Sequence, residues 1–427
     1  MSFEFTRRDF IKLMGAGAAA GIAGCATEPE GPAKPVGTVI VVGGGYGGAT
    51  AAKYIRMWSG GKIQVFLIER NATFVSCPLS NLVLGGSMNI EALTMGYQNL
   101  RNYGVQVIRD EVTGINIDKK RVQLKRVEDL PYDRLVVAPG VDFMFNEVAG
   151  LDAKAQETIL HAWKAGPQTV ALRKQLEAMP DGGTYVLSIP KAPYRCPPGP
   201  YERACQVAAY FKQEKPKSKV LILDGNEDIV SKKGLFLAAW DQLYKGIIEY
   251  RPNQEVKQVD AGALTVRTEF DNFKGNVVNV IPPMRAGDIA QSAKLITANN
   301  RWCGVDWQTT QSVAVPGVYV IGDATLSAPA MPKSGSMANN QAKIAASAIV
   351  AGMLGQPINP QPQIVNTCYS YVSATEAMHV ASVHRWDADK KALLTVPGSG
   401  GVSGQRSELE KQFADAWAKN IWADTLG

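Results

Sequence analysis

Residues 38–55 read TVIVVGGGYGGATAAKYI, and the fold follows from this stretch. Its first five residues are β-branched, which is typical of a parallel strand that is buried on both faces. Gly43, Gly45 and Gly48 come next, and the residues after them have a helical pattern. In a dinucleotide-binding turn the first glycine makes the turn, the second lets the backbone approach the pyrophosphate, and the third lets the helix pack close to the strand. The stretch therefore predicts a Rossmann-like unit that binds a dinucleotide.

An acid stands where such a unit binds ribose. A second strand is predicted over residues 64–68, and Glu69 follows it, 21 residues after Gly48. A carboxylate at this distance can accept hydrogen bonds from ribose hydroxyls. The strand, the helix and the acid make the glycine pattern specific for a dinucleotide, but they do not separate FAD from NAD.

Two later segments favour FAD. Residues 134–140, RLVVAPG, resemble the strand and turn that precede the crossing to the second domain in flavoproteins with two dinucleotide-type domains. Residues 317–323, GVYVIGD, form an apolar strand that ends in Gly-Asp, and in that superfamily the acid binds the ribityl chain of FAD. Asp323 is therefore the candidate ribityl ligand, with a plain helix cap as the alternative. A helix predicted over residues 337–350 would point its N-terminus towards the flavin ring.

The second domain lacks the glycine turn of an NADH site. A strand is predicted over residues 184–189, and residues 190–203, PKAPYRCPPGPYER, follow it. Their five prolines lack the N–H groups that a phosphate cradle needs. The next strand is predicted over residues 219–223, with Asp224 at its end. We expect a Rossmann-like domain that has lost the nucleotide and gained Cys196 on a rigid turn, which argues against a reductase fed by NADH.

The N-terminus is typical of an exported protein. Residues 6–12 read TRRDFIK, and a charge-free run over residues 13–27 follows. Paired arginines before a short apolar run indicate a twin-arginine signal peptide, here residues 1–26, with a linker over 27–35. The run is shorter than the ~20 residues of a membrane span. Release into the periplasm is the favoured prediction, and a lipid tether at Cys25, within the lipobox-like IAGC, is the alternative.

The composition excludes several classes. A length of 427 residues predicts two or three domains, and 46% hydrophobic residues exclude a disordered chain. The net charge of +6 is scattered, so a dedicated nucleic-acid binder is not expected. The three histidines, His161, His379 and His384, are too few and too scattered for a His-based metal site, so no metal is expected. No segment after the signal is long and apolar enough to span a bilayer.

The cysteine count leaves one thiol without an internal partner. Besides Cys25, the chain has five cysteines: Cys77, Cys196, Cys205, Cys303 and Cys368. Cys77 lies in the loop after the Glu69 strand, which runs beside the flavin ring in this architecture. A covalent bond from Cys77 to the flavin would explain the odd number, and the other four then allow three pairings. We expect Cys205 and Cys303 to be free and buried, as small apolar residues.

The whole chain resembles the flavoprotein subunits of flavocytochrome c sulfide dehydrogenases. The resemblance rests on the twin-arginine leader and on VGGGYGGATAAKYI, SCPLSN, RCPPGPYERA, IPPMRAG, MPKSG, NTCYS and NIWADTLG. It implies a thioether from Cys77 to the flavin, a redox-active disulfide between Cys196 and Cys368, and Glu202 as an acid/base beside that disulfide. It also places Trp417 near the flavin. Pro78 departs from the family, where an aromatic residue follows the flavin-binding cysteine. For Glu202 a role only at the helix start, and for Trp417 simple core packing, are the alternatives.

The resemblance implies an enzyme that oxidises sulfide to zero-valent sulfur or polysulfide. Hydrosulfide would attack the disulfide and form a persulfide. The chain has no Cys-x-x-Cys-His for a c-type haem, so the resemblance implies a separate c-type cytochrome subunit as electron acceptor. The rival interpretations are a sulfide:quinone oxidoreductase, a disulfide or persulfide reductase that uses NADH, and a non-catalytic flavin electron-transfer subunit.

The predicted architecture is α/β with two Rossmann-like doubly wound domains, as in disulfide reductases, and a C-terminal domain. The FAD-binding domain is expected in two parts, 36–145 and 286–356. The second Rossmann-like domain, without a nucleotide loop, is expected over 146–285, and a flavin-covering C-terminal domain over 357–427. Residues 408–423 are predicted to form an amphipathic helix that packs on the protein, with a membrane anchor as the alternative.

Overall fold

The computed structural model describes residues 34–427, so the predicted signal peptide, Cys25 and nearly all of the predicted linker lie outside it. The described residues form the strands β1 Gly37–Val42, β2 Ile63–Glu69, β3 Phe74–Val75, β4 Thr94–Met95, β5 Gln106–Arg109, β6 Val112–Asn116, β7 Arg121–Leu124, β8 Leu130–Pro131, β9 Arg134–Val137, β10 Val141–Phe143, β11 Thr184–Ile189, β12 Lys219–Asp224, β13 Ile248–Arg251, β14 Gln258–Asp260, β15 Thr265–Arg267, β16 Asn272–Lys274, β17 Val277–Val280, β18 Met284–Ala286, β19 Val318–Val320, β20 Gln363–Tyr371, β21 Ala377–Asp387, β22 Ala392–Thr395 and β23 Gly401–Val402.

The helices are distributed between these strands. They are α1 Tyr46–Trp58, α2 Ser80–Gly85, α3 Pro167–Ala178, α4 Gly199–Glu214, α5 Lys233–Leu243, α6 Asp288–Ser292, α7 Gly335–Leu354 and α8 Glu408–Leu426. Short 3₁₀ turns occur at Ile90–Leu93, Gln98–Tyr103, Phe145–Glu147, Ala155–Glu157 and Gly322–Ala324.

The first sheet is parallel and has the order β19-β9-β1-β2-β5. Its central strand β1 carries the β-branched run, and Val39, Ile40 and Val41 are fully buried because helices or loops cover both faces. β19 comes from far along the chain and pairs with β9, so residues from both predicted parts of the FAD-binding domain build one sheet.

Helices α1 and α7 pack together on one face of this sheet. Both are rich in small residues, and Ala49 and Ala52 of α1 share a core cluster with Ala342, Ala345 and Ala346 of α7. Small side chains let the two helix axes approach closely, which brings the N-terminus of α7 to the end of the sheet that carries the glycine turn.

The second sheet is also parallel, with the order β13-β12-β11-β17. Helix α4 follows β11, as expected of a β-α-β unit. Two parallel sheets with crossover helices confirm the predicted α/β class with two Rossmann-like units. The exact domain boundaries stay a prediction.

The C-terminal residues form an antiparallel sheet, β20-β21-β22 with β23 beside β21, and then helix α8. Helix α8 begins at the predicted residue and extends to Leu426, three residues beyond the predicted end. Its last turn is tied to α1 and α7, because Lys53 donates to the Ala423 carbonyl at 2.9 Å and Asn339 donates to the Asp424 carboxylate at 2.7 Å. Within residues 34–427, no helix has the length and apolarity to cross a bilayer.

Candidate active site

The glycine turn has the geometry that the sequence predicts. Gly43 has φ +95°, a conformation that favours glycine. A Cβ on Gly48 would lie 1.8 Å from the Gly43 carbonyl oxygen, so only glycine lets α1 start this close to β1. A Cβ on Gly45 would meet no atom within 4 Å, so the turn has free space at the point where a pyrophosphate is expected.

Glu69 braces this turn. Its Oε2 accepts the Gly44 N–H at 2.7 Å, and its Oε1 accepts the backbone N–H and the Nδ2–H of Asn71, each at 2.7 Å. Both carboxylate oxygens thus have protein partners: Oε1 accepts two hydrogen bonds, and Oε2 accepts one and keeps a lone pair for a further donor. The ribose contact predicted for Glu69 stays a prediction.

Asp323 has the environment of a ligand-binding acid. It lies in the 3₁₀ turn Gly322–Ala324, which begins after β19, and its side chain caps no helix. Its Oδ1 is buried without a hydrogen-bond partner among the described residues. Burial raises the pKa of this carboxyl, and the charges of Arg195 and Lys333 oppose the effect. Because buried oxygens are nearly always paired, this one indicates a missing donor such as a ribityl hydroxyl. The open glycine turn and this acid fit FAD.

Helix α7 begins beside the glycine turn, since a Cβ on Gly335 would lie 3.0 Å from the Tyr46 ring. It begins at Gly335, two residues before the predicted start, and Ser334 caps it by accepting the Met337 N–H at 3.0 Å. The helix extends to Leu354, four residues past the predicted end.

The loop that carries Cys77 is held by hydroxyl groups. The Cys77 carbonyl accepts the N–H and the Oγ–H of Ser80, at 3.0 and 2.7 Å. Ser76 Oγ lies 2.7 Å from the Tyr46 hydroxyl, which also accepts the Trp422 Nε1–H at 3.0 Å. The C-terminal helix α8 therefore touches the glycine turn and the Cys77 loop through one tyrosine. Pro78 is accommodated, since its carbonyl accepts the Ser76 Oγ–H at 2.9 Å.

Cys196 sits on a constrained turn. Its φ of +59° is unusual for a residue other than glycine. Its N–H donates to the Lys333 carbonyl at 2.8 Å, and its carbonyl accepts the Gly199 N–H at 2.9 Å. A Cβ on Gly199 would lie 2.8 Å from both Cys196 Sγ and the Trp163 ring, so glycine is required there. The turn thus presents the Cys196 sulfur in a fixed direction.

Cys368 lies in β20 beside the start of α7. Its Sγ–H donates to Asn366 Oδ1 at 3.3 Å, and the same oxygen accepts the Ser334 hydroxyl at 2.8 Å. Burial raises the pKa of both Cys196 and Cys368, and the nearby carboxylate of Glu202 adds to the rise for each thiol. The two cysteines, 172 positions apart in sequence, are therefore in one cluster.

The five cysteines of residues 34–427 are free thiols in the structure. The disulfide expected between Cys196 and Cys368 is thus not formed in it, and their redox pairing stays a proposal. Cys205 and Cys303 are fully buried, as expected, and burial raises the pKa of each thiol to about 12. The Cys205 sulfur accepts the Trp240 Nε1–H at 3.2 Å, so it belongs to the core.

Glu202 ties the three cysteine segments together. It lies in the first turn of α4, six residues after Cys196, and is 7% exposed. Its Oε1 accepts the Tyr371 N–H at 2.9 Å, and its Oε2 accepts the Asn81 Nδ2–H at 3.0 Å. Tyr371 is three residues beyond Cys368, and Asn81 is four residues beyond Cys77. Burial raises the pKa of Glu202, and these two hydrogen bonds and the Lys232 charge oppose that rise.

Arg203 is a buried cation that the sequence reading missed. It is 1% exposed, and its guanidinium donates to Asn81 Oδ1, Asn279 Oδ1 and the carbonyls of His161 and Ala162. Burial lowers the pKa of its guanidinium, and neighbouring groups, foremost Tyr185, Cys196 and Glu202, oppose this effect. From the sequence, an arginine that follows Glu202 on a helix is expected to be exposed. The fold shows that its partners are instead buried amide and carbonyl oxygens.

Lys232 is the second missed residue. It precedes α5, yet its Nζ reaches the Cys368 strand and donates to the Cys368 carbonyl at 3.2 Å and to Ser370 Oγ at 2.8 Å. Its sequence neighbourhood, Ser-Lys-Lys-Gly, is typical of an exposed loop and gives no signal for this contact.

The structure also shows the surroundings of Trp417 and His161, the remaining residues considered from the sequence. Trp417 is partly buried, its ring lies 6.1 Å from that of Tyr369, and both line a cavity of about 410 Å³ together with Phe413. His161 is buried in the core, and burial lowers its pKa to about 3. Within the part of the chain that the structure describes, no group of three metal-ligating residues occurs. The flavin role of Trp417 stays a prediction.

Asp224, the acid that ends β12, has both carboxylate oxygens hydrogen-bonded within the protein. Asp224 is fully buried, and its Oδ2 accepts the hydroxyls of Tyr201 and Tyr250 at 2.7 and 3.1 Å. Its Oδ1 accepts the Asn226 N–H at 2.9 Å. In a dinucleotide domain this position binds ribose. Here the hydroxyls of Tyr201 and Tyr250 bind the carboxylate, and the proline-rich segment 190–203 lies where a glycine turn would be. The loss of a nucleotide site from this unit stays a prediction.

Three family models match parts of this chain. Residues 169–282 match the model "Sulfide dehydrogenase [flavocytochrome c] flavoprotein chain, central", and residues 360–426 match "Flavocytochrome c sulphide dehydrogenase, flavin-binding". Residues 37–175 match "Pyridine nucleotide-disulphide oxidoreductase".

Three relatives illustrate the similarity. The sulfide dehydrogenase (flavocytochrome c) flavoprotein chain of Chlorobaculum thiosulfatiphilum is 53% identical over 45 residues, which are 10% of this chain and 92% of that sequence. The mitochondrial sulfide:quinone oxidoreductase of Dictyostelium discoideum is 24% identical over 350 residues, covering 78% of this chain and 75% of that one. The solved sulfide:quinone oxidoreductase of Aquifex aeolicus has a TM-score of 0.75 at 18% identity and covers 91% of each chain, so it shows the same fold.

Proposed function

Because the chain belongs to the family of flavocytochrome c sulfide dehydrogenase flavoprotein chains, a family of sulfide-oxidising flavoproteins, we propose that it oxidises sulfide through Cys196 and Cys368 and delivers the electrons to a c-type cytochrome. The single observation that carries the proposal is the cluster of Cys196, Cys368 and the buried Glu202, which two distant segments of the chain build together. Two thiols that share a buried acid suit sulfur exchange.

The cysteine pair receives the sulfur atom. With the pair oxidised, hydrosulfide attacks one sulfur, the S–S bond breaks, and the other sulfur leaves as a thiolate. The attacked cysteine then carries a persulfide. When the pair closes again, the added sulfur leaves as zero-valent sulfur or joins a polysulfide chain, and two electrons leave the site.

Glu202 holds and moves the proton of hydrosulfide. Burial raises the pKa of its carboxyl, so Glu202 binds a proton more readily than an exposed glutamate does. The Tyr371 N–H and the Asn81 Nδ2–H fix its orientation. Both hydrogen bonds also favour the ionised form of Glu202 and so limit the rise in its pKa. The carboxylate can therefore still act as a base.

The glycine turn, Glu69 and Asp323 would hold FAD, and Cys77 would bind it through a thioether. FAD supplies the acceptor for the two electrons that the cysteine pair releases. Two features argue against an NADH-fed route: the hydroxyls of Tyr201 and Tyr250 bind the Asp224 carboxylate, and five residues of the segment 190–203 are prolines without an N–H. Trp417 and the C-terminal residues cover the flavin and provide part of the docking surface for the cytochrome.

The cytochrome is a separate chain in this proposal, and both proteins are periplasmic. The absence of Cys-x-x-Cys-His from the sequence supports the separate haem subunit, and the twin-arginine pattern supports export of the folded, cofactor-loaded chain. Quinone reduction is the second candidate, since the relative from Dictyostelium discoideum named for it aligns over 78% of this chain.

An anaerobic titration tests the proposal. Stoichiometric sulfide should bleach the oxidised flavin band, NADH should not, and oxidised cytochrome c should restore the band faster than a soluble quinone. Cys368→Ser should abolish bleaching by sulfide, whereas Cys303→Ala, a change at a buried thiol outside the cluster, should leave it intact. Bleaching by NADH alone, or equal bleaching by sulfide in the Cys368 variant, would contradict the proposal.

A further inference from the structure

Lys232 is a buried lysine without an acidic partner in contact. Its side chain is 7% exposed, and its φ of +56° places the backbone in the left-handed region. The adjacent Lys233 pairs with Asp228 at the surface, whereas Lys232 forms no ion pair with any residue between 34 and 427. A buried, unpaired ammonium is rare in proteins, so its position needs a reason.

The contacts of Lys232 point at the cysteine cluster. Its Nζ donates to the Cys368 carbonyl and to Ser370 Oγ, at 3.2 and 2.8 Å. An ammonium carries three N–H donors, and within the described chain the third has no acceptor. The backbone of Lys232 is left-handed, and its side chain points inward to β20. One donor therefore remains for an anion at this cluster.

The charges around Lys232 keep it protonated at neutral pH. Burial lowers its pKa to about 8, and the ionisable groups that oppose this are Cys368, Glu202, Cys196 and Glu410. Glu410 is itself held by His379, whose Nδ1 lies 2.8 Å from its carboxylate. In return, the Lys232 charge opposes the effect of burial on the Cys368 thiol.

We propose that Lys232 is a positioning residue that holds negative charge at the Cys368 sulfur. The charge is the Cys368 thiolate when the pair is reduced, and the hydrosulfide ion as it approaches the oxidised pair. The thiolate part does not depend on the proposed function: it stands on the burial of Lys232, on its contact with the Cys368 carbonyl and on its spare N–H donor. The hydrosulfide part rests on the proposed function. The lysine transfers no atom in either case; its free N–H and its charge fix where the anion resides.

The test compares three variants of the flavin-loaded protein. Lys232→Met removes the charge and keeps the apolar stem, Lys232→Arg keeps the charge, and Lys233→Met is the matched control one residue away. Each protein is reduced with dithiothreitol, desalted without oxygen, and alkylated with iodoacetamide between pH 5 and 10. Mass spectrometry of the Cys368 and Cys196 peptides gives the rate at each sulfur.

We expect the alkylation rate of Cys368 at pH 7 to fall about tenfold in Lys232→Met, which corresponds to a rise of about one unit in the pKa of its thiol. Lys232→Arg should stay close to the unchanged protein, and Lys233→Met should match it. An unchanged Cys368 profile in Lys232→Met, or an equal shift in Lys233→Met, would overturn the proposal. If Lys232→Met does not fold, Lys232→Gln replaces it, since glutamine can still donate to Ser370 Oγ.

A second readout separates this proposal from the proposed function. The sulfide concentration that gives half-maximal flavin bleaching should rise about tenfold in Lys232→Met and stay constant in Lys233→Met. If sulfide bleaches no variant, including the unchanged protein, the proposed function fails while the alkylation shift still supports the thiolate part. If sulfide bleaches all variants alike and alkylation is unchanged, the role of Lys232 is refuted and the proposed function stands.

Discussion

Glu202 gives the sharpest prediction, because removal of its carboxylate has a cost that follows from its contacts. In Glu202→Ala the Tyr371 N–H loses its acceptor, and Tyr371 is a buried strand residue. An unpaired buried N–H costs about 1–3 kcal/mol. Asn81 loses one acceptor but keeps the Gly199 carbonyl at 3.1 Å. Together with the cavity, we expect Glu202→Ala to lower the free energy of unfolding by roughly 2–4 kcal/mol.

Glu202→Gln isolates the charge. The glutamine carbonyl can still accept the Tyr371 N–H, but its NH2 group faces the Asn81 Nδ2–H, which then has only the Gly199 carbonyl as acceptor. Near pH 5 we therefore expect Glu202→Gln to cost about 1–2 kcal/mol, less than Glu202→Ala. Burial raises the pKa of Glu202 above 4.5 in the folded state, so between the unfolded and folded pKa the folded chain binds more protons than the unfolded chain. The stability of the unchanged protein therefore falls as pH rises through this window, by about 1.4 kcal/mol for each pH unit between the unfolded and the folded pKa. Glutamine cannot ionise, so Glu202→Gln should lose this decrease.

Urea unfolding between pH 5 and 8 measures both effects, with Glu214→Gln as the matched control. Glu214 ends the same helix and is exposed, so this substitution should leave the pH dependence unchanged. In the sulfide titration, Glu202→Gln should slow flavin bleaching about 10²-fold and remove the acidic limb of the rate profile. If Glu202→Gln retains the pH dependence of stability, or Glu202→Ala unfolds no earlier than Glu214→Gln, the reasoning about the buried carboxyl is refuted.

Three further predictions follow from single contacts. Asp323→Ala should lower the flavin content of the purified protein, measured by absorption, and an unchanged flavin content would contradict the ligand role of Asp323. The apo-protein should be as stable as before or slightly more stable, because a buried carboxylate oxygen without a hydrogen-bond partner is removed. Cys77→Ser should make the flavin extractable by acid denaturation, and flavin that is already extractable from the unchanged protein would refute the thioether. Tyr201→Phe should cost about 1.5–3 kcal/mol in urea unfolding, because Asp224 loses its 2.7 Å hydroxyl donor, without conferring bleaching by NADH.

The parts of the fold that depend on neighbouring residues were predictable. β1, the glycine turn and α1 are adjacent in sequence, and their glycines are required by contacts within that unit, such as Gly48 against the Gly43 carbonyl. The strand Thr184–Ile189 is found at its predicted residues, because a continuous apolar run in a parallel sheet has clear ends. Helix ends were less accurate, since α7 and α8 continue where tertiary contacts, such as Lys53 with the Ala423 carbonyl, stabilise extra turns.

The site was less predictable, because its contacts join distant segments. Glu202 was identified through the family resemblance, but its partners Tyr371 and Asn81 are 169 and 121 residues away. No periodicity encodes such pairs. Lys232 and Arg203 were missed for a related reason: charged residues in loops and helix starts are usually solvated, and burial of these two is decided by elements that pack on them from elsewhere in the chain.

The buried charges explain why this cluster suits an anionic substrate. Arg203 and Lys232 are buried cations near Cys196, and Glu202 is a buried carboxyl beside them. If Glu202 is ionised, these three groups carry a net formal charge of +1 (two cations and one anion). Protonation of Glu202 makes the cluster more positive. Because a low-dielectric interior strengthens such a field, a thiolate or a hydrosulfide ion that enters the cluster brings it closer to neutrality. A neutral substrate would gain nothing from this arrangement, and that asymmetry favours hydrosulfide over neutral hydrogen sulfide as the species that reacts.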